Sequence, residues 1–272
     1  MKIGKTKTLN NGVEMPYLGL GVYRSGAETY KAVRIALDAG YKHIDTASFY
    51  ENERDVGKAV KDSGIDRSEI FITTKVWNSD IRADHVIEAC HTSLKNLDVD
   101  FIDLYLIHWP VPGKYIEAYK ACETLYAQKK LRSIGLSNHL KPHLDKLLPV
   151  CDILPAANQL EIHPYLSNTS EINYCIGMNI FPIAWAPLAV GRVLKESIID
   201  TIAKKYSKTP AQIVLRWHIQ RGVAVIPKSV NPERIVENTA IFDFELAPLD
   251  MASIDSLNKD KRDGPDPLNF NF

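Results

Sequence analysis

A repeated alternation constrains this chain more than any other feature. Eight short apolar runs recur along it, at residues 17–20, 43–45, 70–74, 101–107, 133–136, 156–160, 181–184 and 224–226. Seven of the eight are followed by a segment of helical periodicity before the next run begins. One such segment carries Val86, Ala89, Cys90, Ser93, Leu94 and Leu97, the i, i+3, i+4 spacing of a helix buried on one face. Ala32, Val33, Ala36 and Leu37 repeat that spacing earlier. The last run leads into residues 232–239, where Pro232 suits a first helical turn. Several runs are apolar throughout, as strands covered on both faces are. Strands alternating with helices imply a parallel sheet. Eight such units imply closure into an α/β (β/α)8 TIM barrel.

The alternative is an open doubly wound sheet, whose dinucleotide fingerprint is GxGxxG after the first strand. Residues 19–26, GLGVYRSG, approach that pattern with the third glycine misplaced, and the count of eight favours the barrel. Before the first run, residues 6–9 and 13–15 read as two strands joined by Asn10-Asn11-Gly12. Asn-Gly supplies the two positive-φ positions of a tight turn. An N-terminal β-hairpin capping one end of the barrel is therefore expected.

The 272 residues match the roughly 250 that such a barrel uses as one domain. No linker or charge block divides them, so a single domain over 1–272 is expected. Thirty-three basic residues balance 33 acidic ones, which gives no reason to expect a nucleic-acid partner. No stretch approaches the ~20 apolar residues of a membrane span. No secretory signal follows Met1-Lys2-Ile3, and Cys90, Cys122, Cys151 and Cys175 form no CxxC pair. A cytoplasmic protein with reduced thiols is expected. The Asn168-Thr169-Ser170 sequon is then a chance match. With no long apolar surface run, the barrel is compatible with a monomer.

In a barrel of this kind the active site lies at the C-terminal ends of the strands. Run two ends at Asp45 with Tyr50 five residues on, Lys75 follows run three, and His108 follows run four. Four titratable side chains therefore converge on one rim from three neighbouring strands. Taken singly, each has a structural alternative: a cap or ion pair for Asp45, a solvated strand end for Lys75, a core histidine for His108, packing for Tyr50. Their conjunction points to chemistry, because random placement would scatter them over both ends of the barrel.

Several segments together resemble the aldo-keto reductase family. They are residues 43–53, HIDTASFYENE; 103–110, DLYLIHWP; 135–138, GLSN; 158–164, NQLEIHP; and 226–229, IPKS. The resemblance runs from the hairpin to residues 264–267, GPDP, and the motifs occur in order. The short segment after His108 and the short tail resemble the microbial and protozoan branch, which includes diketogluconate reductases and prostaglandin F synthase-like enzymes.

The resemblance implies reduction of aldehydes and ketones, and the residues support that chemistry independently. Carbonyl reduction needs a hydride donor and a proton donor on the nascent alkoxide. Tyr50 suits the proton donor. Lys75, paired with Asp45, is expected to lower its pKa from about 10. His108 can hydrogen-bond the substrate carbonyl where negative charge develops. No side chain donates hydride, so a cofactor must. By resemblance it is a nicotinamide dinucleotide, NADPH rather than NADH, lying across the barrel mouth. The implied contacts are Gly21, Val22, Tyr23 and Asp45 early in the chain, with Ser137, Asn138 and Gln159 on the carboxamide. Trp185 is implied to stack on the nicotinamide. Ala186, Leu188 and Val230 are further contacts. Lys228, Ser229 and Arg234 suit a 2′-phosphate, and Glu237 and Asn238 match adenine contacts. Ala186-Pro187-Leu188-Ala189 stands where the family more often has Ser-Pro-Leu-Gly. That departure puts the pyrophosphate contacts of this loop in question. Polar strand ends and rim packing are the structural alternatives for these positions.

Tyr23, Trp77 and Trp109, with Asn269 and Phe270 of the tail, are expected to wall a pocket for a small carbonyl substrate around Tyr50 and His108. Sugar ketoacids, methylglyoxal, aromatic aldehydes and prostaglandin H2 all remain open as substrates. His139 and His143 have the spacing of a zinc pair on a helix, but Pro142 between them and the missing third ligand argue against a metal. No HExxH, P-loop or GxSxG motif occurs. A competing reading is a non-enzymatic cofactor-binding barrel protein, since fold does not fix function. Such a protein has no need to keep the four rim residues together. A barrel hydrolase would need a second acid at a neighbouring strand end.

Overall fold

The computed structural model describes residues 4–272. Strands β1 (Thr6–Thr8) and β2 (Glu14–Pro16) form the expected antiparallel hairpin, with Thr8 opposite Glu14. Its turn differs from the expected one. Of residues 10–12 only Gly12 has a positive φ, 84°. Leu9 N donates to Val13 O at 2.9 Å and Gly12 N to Leu9 O at 3.0 Å, which closes a three-residue loop. The asparagines are engaged elsewhere. Asn10 Nδ2 donates to the carbonyls of Pro155 and Asn179, and Asn11 Nδ2 to Arg132 O and Ser133 Oγ. The hairpin is thereby pinned to segments that lead into barrel strands.

Eight parallel strands follow: β3 (Leu20–Gly21), β4 (His43–Asp45), β5 (Phe71–Val76), β6 (Leu104–Ile107), β7 (Ile134–Ser137), β8 (Ala157–Glu161), β9 (Phe181–Trp185) and β10 (Ala224–Val225). They hydrogen-bond in chain order. The sheet closes through parallel bridges between Leu18 and Val225 and between Gly21 and Lys228. At this seam Gly19 N donates to Val225 O at 2.9 Å and Val225 N to Tyr17 O at 2.8 Å. A Cβ on Gly21 would lie 2.7 Å from Ile226 O, so the seam accepts only glycine there. The arrangement is a (β/α)8 barrel.

Helices α1 (Thr29–Asp38), α2 (Glu53–Asp62), α3 (Ala83–Leu97), α4 (Tyr115–Ala127), α5 (Lys141–Leu147) and α6 (Thr169–Gly177) alternate with the strands. On α3, Val86, Cys90, Ser93, Leu94 and Leu97 are buried, while Ala89 is half-buried. Two helices, α7 (Ser197–Tyr206) and α8 (Pro210–Gln220), stand between β9 and β10 where one was expected. They enclose a second apolar cluster around Trp217, Ile199 and Val214. Helix α9 (Pro232–Glu237) starts on Pro232 and is capped by the Asn231 side chain; α10 (Pro248–Asp255) follows. Among the described residues no helix is long and apolar enough to cross a membrane.

Candidate active site

The strand ends deliver the four rim residues to one place. Asp45 closes β4, Lys75 lies in β5 and His108 follows β6; all three are buried. Tyr50 closes a single 3-10 turn, Ser48–Tyr50, after β4. That turn is fastened by Ser48 Oγ, which donates to Lys75 O at 3.0 Å. Asn52 Nδ2 donates to Val22 O, and Thr46 Oγ1 to Asn52 Oδ1, so the loop is also tied to the first barrel strand. Lys75 Nζ has three neighbours: Asp45 Oδ1 at 2.6 Å, Thr46 O at 2.8 Å and Tyr50 Oη at 3.4 Å. The second oxygen of Asp45 accepts from Gln159 Nε2 at 2.7 Å. The rings of Tyr50 and His108 meet edge to face, with centroids 5.9 Å apart.

Burial dominates the electrostatics. It raises the Asp45 carboxyl and depresses the Lys75 ammonium, and the attraction within the pair opposes both shifts. Burial, reinforced by Lys75, holds the His108 imidazole well below its usual value, so the ring is neutral near pH 7. The Tyr50 phenol corrects an expectation. Lys75 was expected to lower its pKa; burial raises it well above 10, and Asp45 and Tyr23 add to the rise. The physical reason is that the Lys75 ammonium is already matched by Asp45 and Thr46 at short range. The resting phenol therefore holds its proton firmly.

Of the residues expected on the cofactor side, Asn138, Gln159 and Trp185 are tied to the rim by hydrogen bonds. Asn138, with a left-handed φ of 63°, donates through Nδ2 to His108 O and Ser137 Oγ and accepts from Trp185 Nε1. Gln159 is buried, and its Nε2 is committed to Asp45. Val22 is buried, whereas Ala186, Leu188 and Val230 are half-buried. Lys228 and Arg234 are exposed, and neither has an ion-pair partner among the described residues. Ser229 lies between them in sequence and is buried. Two free cations beside a hydroxyl form a donor set that fits a phosphate. Glu237 accepts from Thr209 Oγ1 at 2.7 Å through one carboxylate oxygen, and Asn238 is buried.

An aromatic cluster beside His108 holds two residues that sequence reasoning missed. Phe49 stacks on Trp77 at 3.8 Å and 17°, and Phe272 lies nearly parallel to Trp77 at 5.9 Å and 10°. Trp77 is thus flanked by both phenyl rings. Phe270 and Phe272 also meet Trp109 at 5.2 and 5.1 Å. Tyr23 packs on Tyr50 at 4.9 Å. Asn269 is exposed, and its Nδ2 donates to Asp266 Oδ2 at 2.8 Å. The signal for Phe272 was the alternation Asn269-Phe270-Asn271-Phe272; Phe49 directly precedes Tyr50. His139 and His143 are both engaged with backbone, at Ser137 O and Leu140 N.

Fold and rim together define a class: a (β/α)8 oxidoreductase barrel with a buried Asp-Lys pair beside a tyrosine and a neutral histidine. A family model for the Aldo/keto reductase family matches residues 18–259. A 9,11-endoperoxide prostaglandin H2 reductase of Trypanosoma cruzi is 49% identical over 268 residues, covering 97% of this chain and 95% of that protein. A glyoxal reductase of Bacillus subtilis is 47% identical over 264 residues, covering 96% of each. The solved structure of a Bombyx mori aldo-keto reductase in complex with NADP superposes with a TM-score of 0.91 at 34% identity, covering 96% of this chain and 95% of that one. The chain belongs to the aldo/keto reductase family. Membership makes it an oxidoreductase acting on carbonyl compounds.

Proposed function

We propose that Tyr50 delivers the proton, with Lys75, Asp45 and His108 in supporting roles. The observation that carries this reading is the Lys75 ammonium, shared at short range among Asp45 Oδ1, Thr46 O and Tyr50 Oη. When bound, the nicotinamide supplies a hydride to the carbonyl carbon. His108, neutral, donates an N–H to the carbonyl oxygen and orients it. Tyr50 Oη–H gives that oxygen its proton as negative charge develops. The phenol's high pKa makes it a reluctant donor at rest. Lys75 therefore acts late: its ammonium, 3.4 Å away, stabilises the emerging phenolate and can return a proton to it. Asp45 holds Lys75 in place and keeps it charged.

Ser137 and Asn138 would hold the carboxamide, and Gln159 would offer it the carbonyl oxygen that Asp45 leaves free. Trp185 would face the nicotinamide. Lys228, Ser229 and Arg234 would hold the 2′-phosphate. The aromatic wall of Tyr23, Phe49, Trp77, Trp109, Phe270 and Phe272 favours small aldehydes and ketones with an apolar substituent. Glyoxal and methylglyoxal are the compact end of that range. The same reading takes residues 1–272 as one domain, acting as a monomer in the cytoplasm. Tyr50→Phe keeps the ring and removes the only phenol on Lys75 Nζ. Turnover should fall by at least about 10²-fold, the scale of a lost general acid, with NADPH affinity little changed. Turnover near wild type would overturn the assignment.

A further inference from the structure

Beyond the rim, one buried cluster joins three segments distant in sequence. Glu161 ends β8, His163 follows it, Arg192 lies in the loop after β9, and Asp263 and Gly264 belong to the C-terminal tail. Glu161 and His163 are fully buried. Glu161 Oε1 accepts from the Asp263 backbone N–H and, at 2.9 Å, from His163 Nε2; Oε2 accepts from Gly264 N at 3.2 Å. Asp263 in turn pairs with Arg192. The tail also hangs on the loop after β8: Lys259 N and Lys261 N donate to Tyr165 O, and Ser167 N donates to Asn258 Oδ1.

The three ligand-type side chains Glu161, His163 and Asp263 come together closely enough to resemble a metal site. The Glu161 oxygens are engaged by the Asp263 and Gly264 N–H groups and by His163, and Asp263 faces Arg192, which makes the cluster a structural clamp. What it clamps is informative. A Cβ on Gly264 would lie 2.5 Å from Trp185 Cη2, so the tail backbone rests on the indole. The other edge of that indole donates Nε1–H to Asn138 Oδ1 at 2.8 Å. A few residues further on, the same tail supplies Phe270 and Phe272 to the pocket wall.

We infer that Glu161 is a positioning residue which, by holding Asp263 and Gly264, sets both the plane of Trp185 and the tail aromatics that select bulky substrates. This rests on the proposed reading of Trp185 and the pocket wall. A single carboxylate that receives two backbone N–H groups and an imidazole cannot be replaced by an amide, because an amide NH2 would face a donor. Glu161→Gln should therefore free the tail while leaving the rim tetrad untouched.

Two variants, Glu161→Gln and Gly264→Ala, test this from opposite sides of the clamp. In the cofactor-free protein, trypsin should cut after Lys261 and Arg262 about tenfold faster in Glu161→Gln, the scale of one lost charge-assisted hydrogen bond. In both variants kcat/KM for an aromatic aldehyde should fall about tenfold relative to that for methylglyoxal, mainly through KM. Gly264→Ala displaces the indole without removing the carboxylate, so it keeps the test open should Glu161→Gln fold poorly. A tail equally protected in wild type and Glu161→Gln, or an unchanged aldehyde ratio in both variants, would overturn the inference. Failure of the tetrad reading would show separately, as an active Tyr50→Phe protein, and would leave the proteolysis result standing.

Discussion

Gln159 and Asp45 stand on β8 and β4, four strands apart in an eight-stranded barrel, and are joined across its interior by a 2.7 Å hydrogen bond. Both residues are buried. With Lys75 on its other oxygen, Asp45 is held at both ends, so its carboxylate cannot turn away from the ammonium that faces Tyr50. The amide that the family resemblance ties to the cofactor thus also holds Asp45, a member of the proposed proton-donating assembly.

Gln159→Leu removes that partner and leaves a buried carboxylate oxygen unsatisfied. The expected cost is about 1–3 kcal/mol of stability. Turnover should fall as well, because an unrestrained Asp45 no longer holds Lys75 in register. Urea unfolding and steady-state rates check both parts. A variant as stable and as active as wild type would mean that the bond across the barrel positions nothing.

Lys228 and Arg234 supply the second prediction. They are exposed cations beside Ser229, after the eighth barrel strand. NADPH brings a phosphate to them and NADH does not. A charge-assisted contact contributes roughly 1.5–3 kcal/mol, or about one to two powers of ten in affinity. NADPH should bind tighter than NADH by at least that factor, and Arg234→Met should weaken NADPH strongly and NADH hardly at all. Rising salt should erode the preference. Fluorescence titration of both cofactors decides the matter, and equal wild-type affinities would remove the phosphate clamp while leaving the tetrad chemistry intact.

Three buried histidines set the acid limit of the fold. Burial holds His43, His139 and His218 at about 3, against 6.5 for a free imidazole. The unfolded chain therefore binds more protons than the folded one between those values. Stability is full above about pH 6.5 and falls as pH drops towards 3, by up to about 1.4 kcal/mol per pH unit for each ring. Unfolding free energies measured from pH 7 to 5 should show this slope. His139→Gln should lessen it by about one proton. A flat profile over that range would mean that these rings titrate in the folded protein.

The barrel was legible because its evidence is periodic: eight apolar runs recover β3 to β10, and the residues at their ends recover the rim. What escaped depends on tertiary partners. Asn10 and Asn11 read as turn formers, yet their amides cross to Pro155, Asn179 and Arg132, and the turn reshapes around Gly12. The break between α7 and α8 is local: Ser207 turns left-handed at a φ of 53°, and Thr209 caps the helix that starts on Pro210. The rise in the Tyr50 pKa depends on depth of burial, which no local pattern records.

The loop after β9 offers the last test. Ala186, Ala189 and Val190 have φ of 48°, 47° and 53°, in the left-handed region that favours glycine. Ala189 stands where the family more often has glycine, the residue that takes this conformation most freely. A side chain in this region costs about 1–2 kcal/mol, whereas glycine costs about 0.5–1 kcal/mol through the entropy of the unfolded chain. Val190 is 80% exposed, so replacing it loses almost no packing. Val190→Gly should stabilise the protein by about 0.5–1 kcal/mol, because relief of strain exceeds the entropic cost. Ala189 is fully buried, and Ala189→Gly gives up methyl contacts that offset its relief, so that variant should be close to neutral. Urea unfolding of the two variants side by side separates the effects. Destabilisation by Val190→Gly would show that the loop does not hold a left-handed backbone at that position in solution.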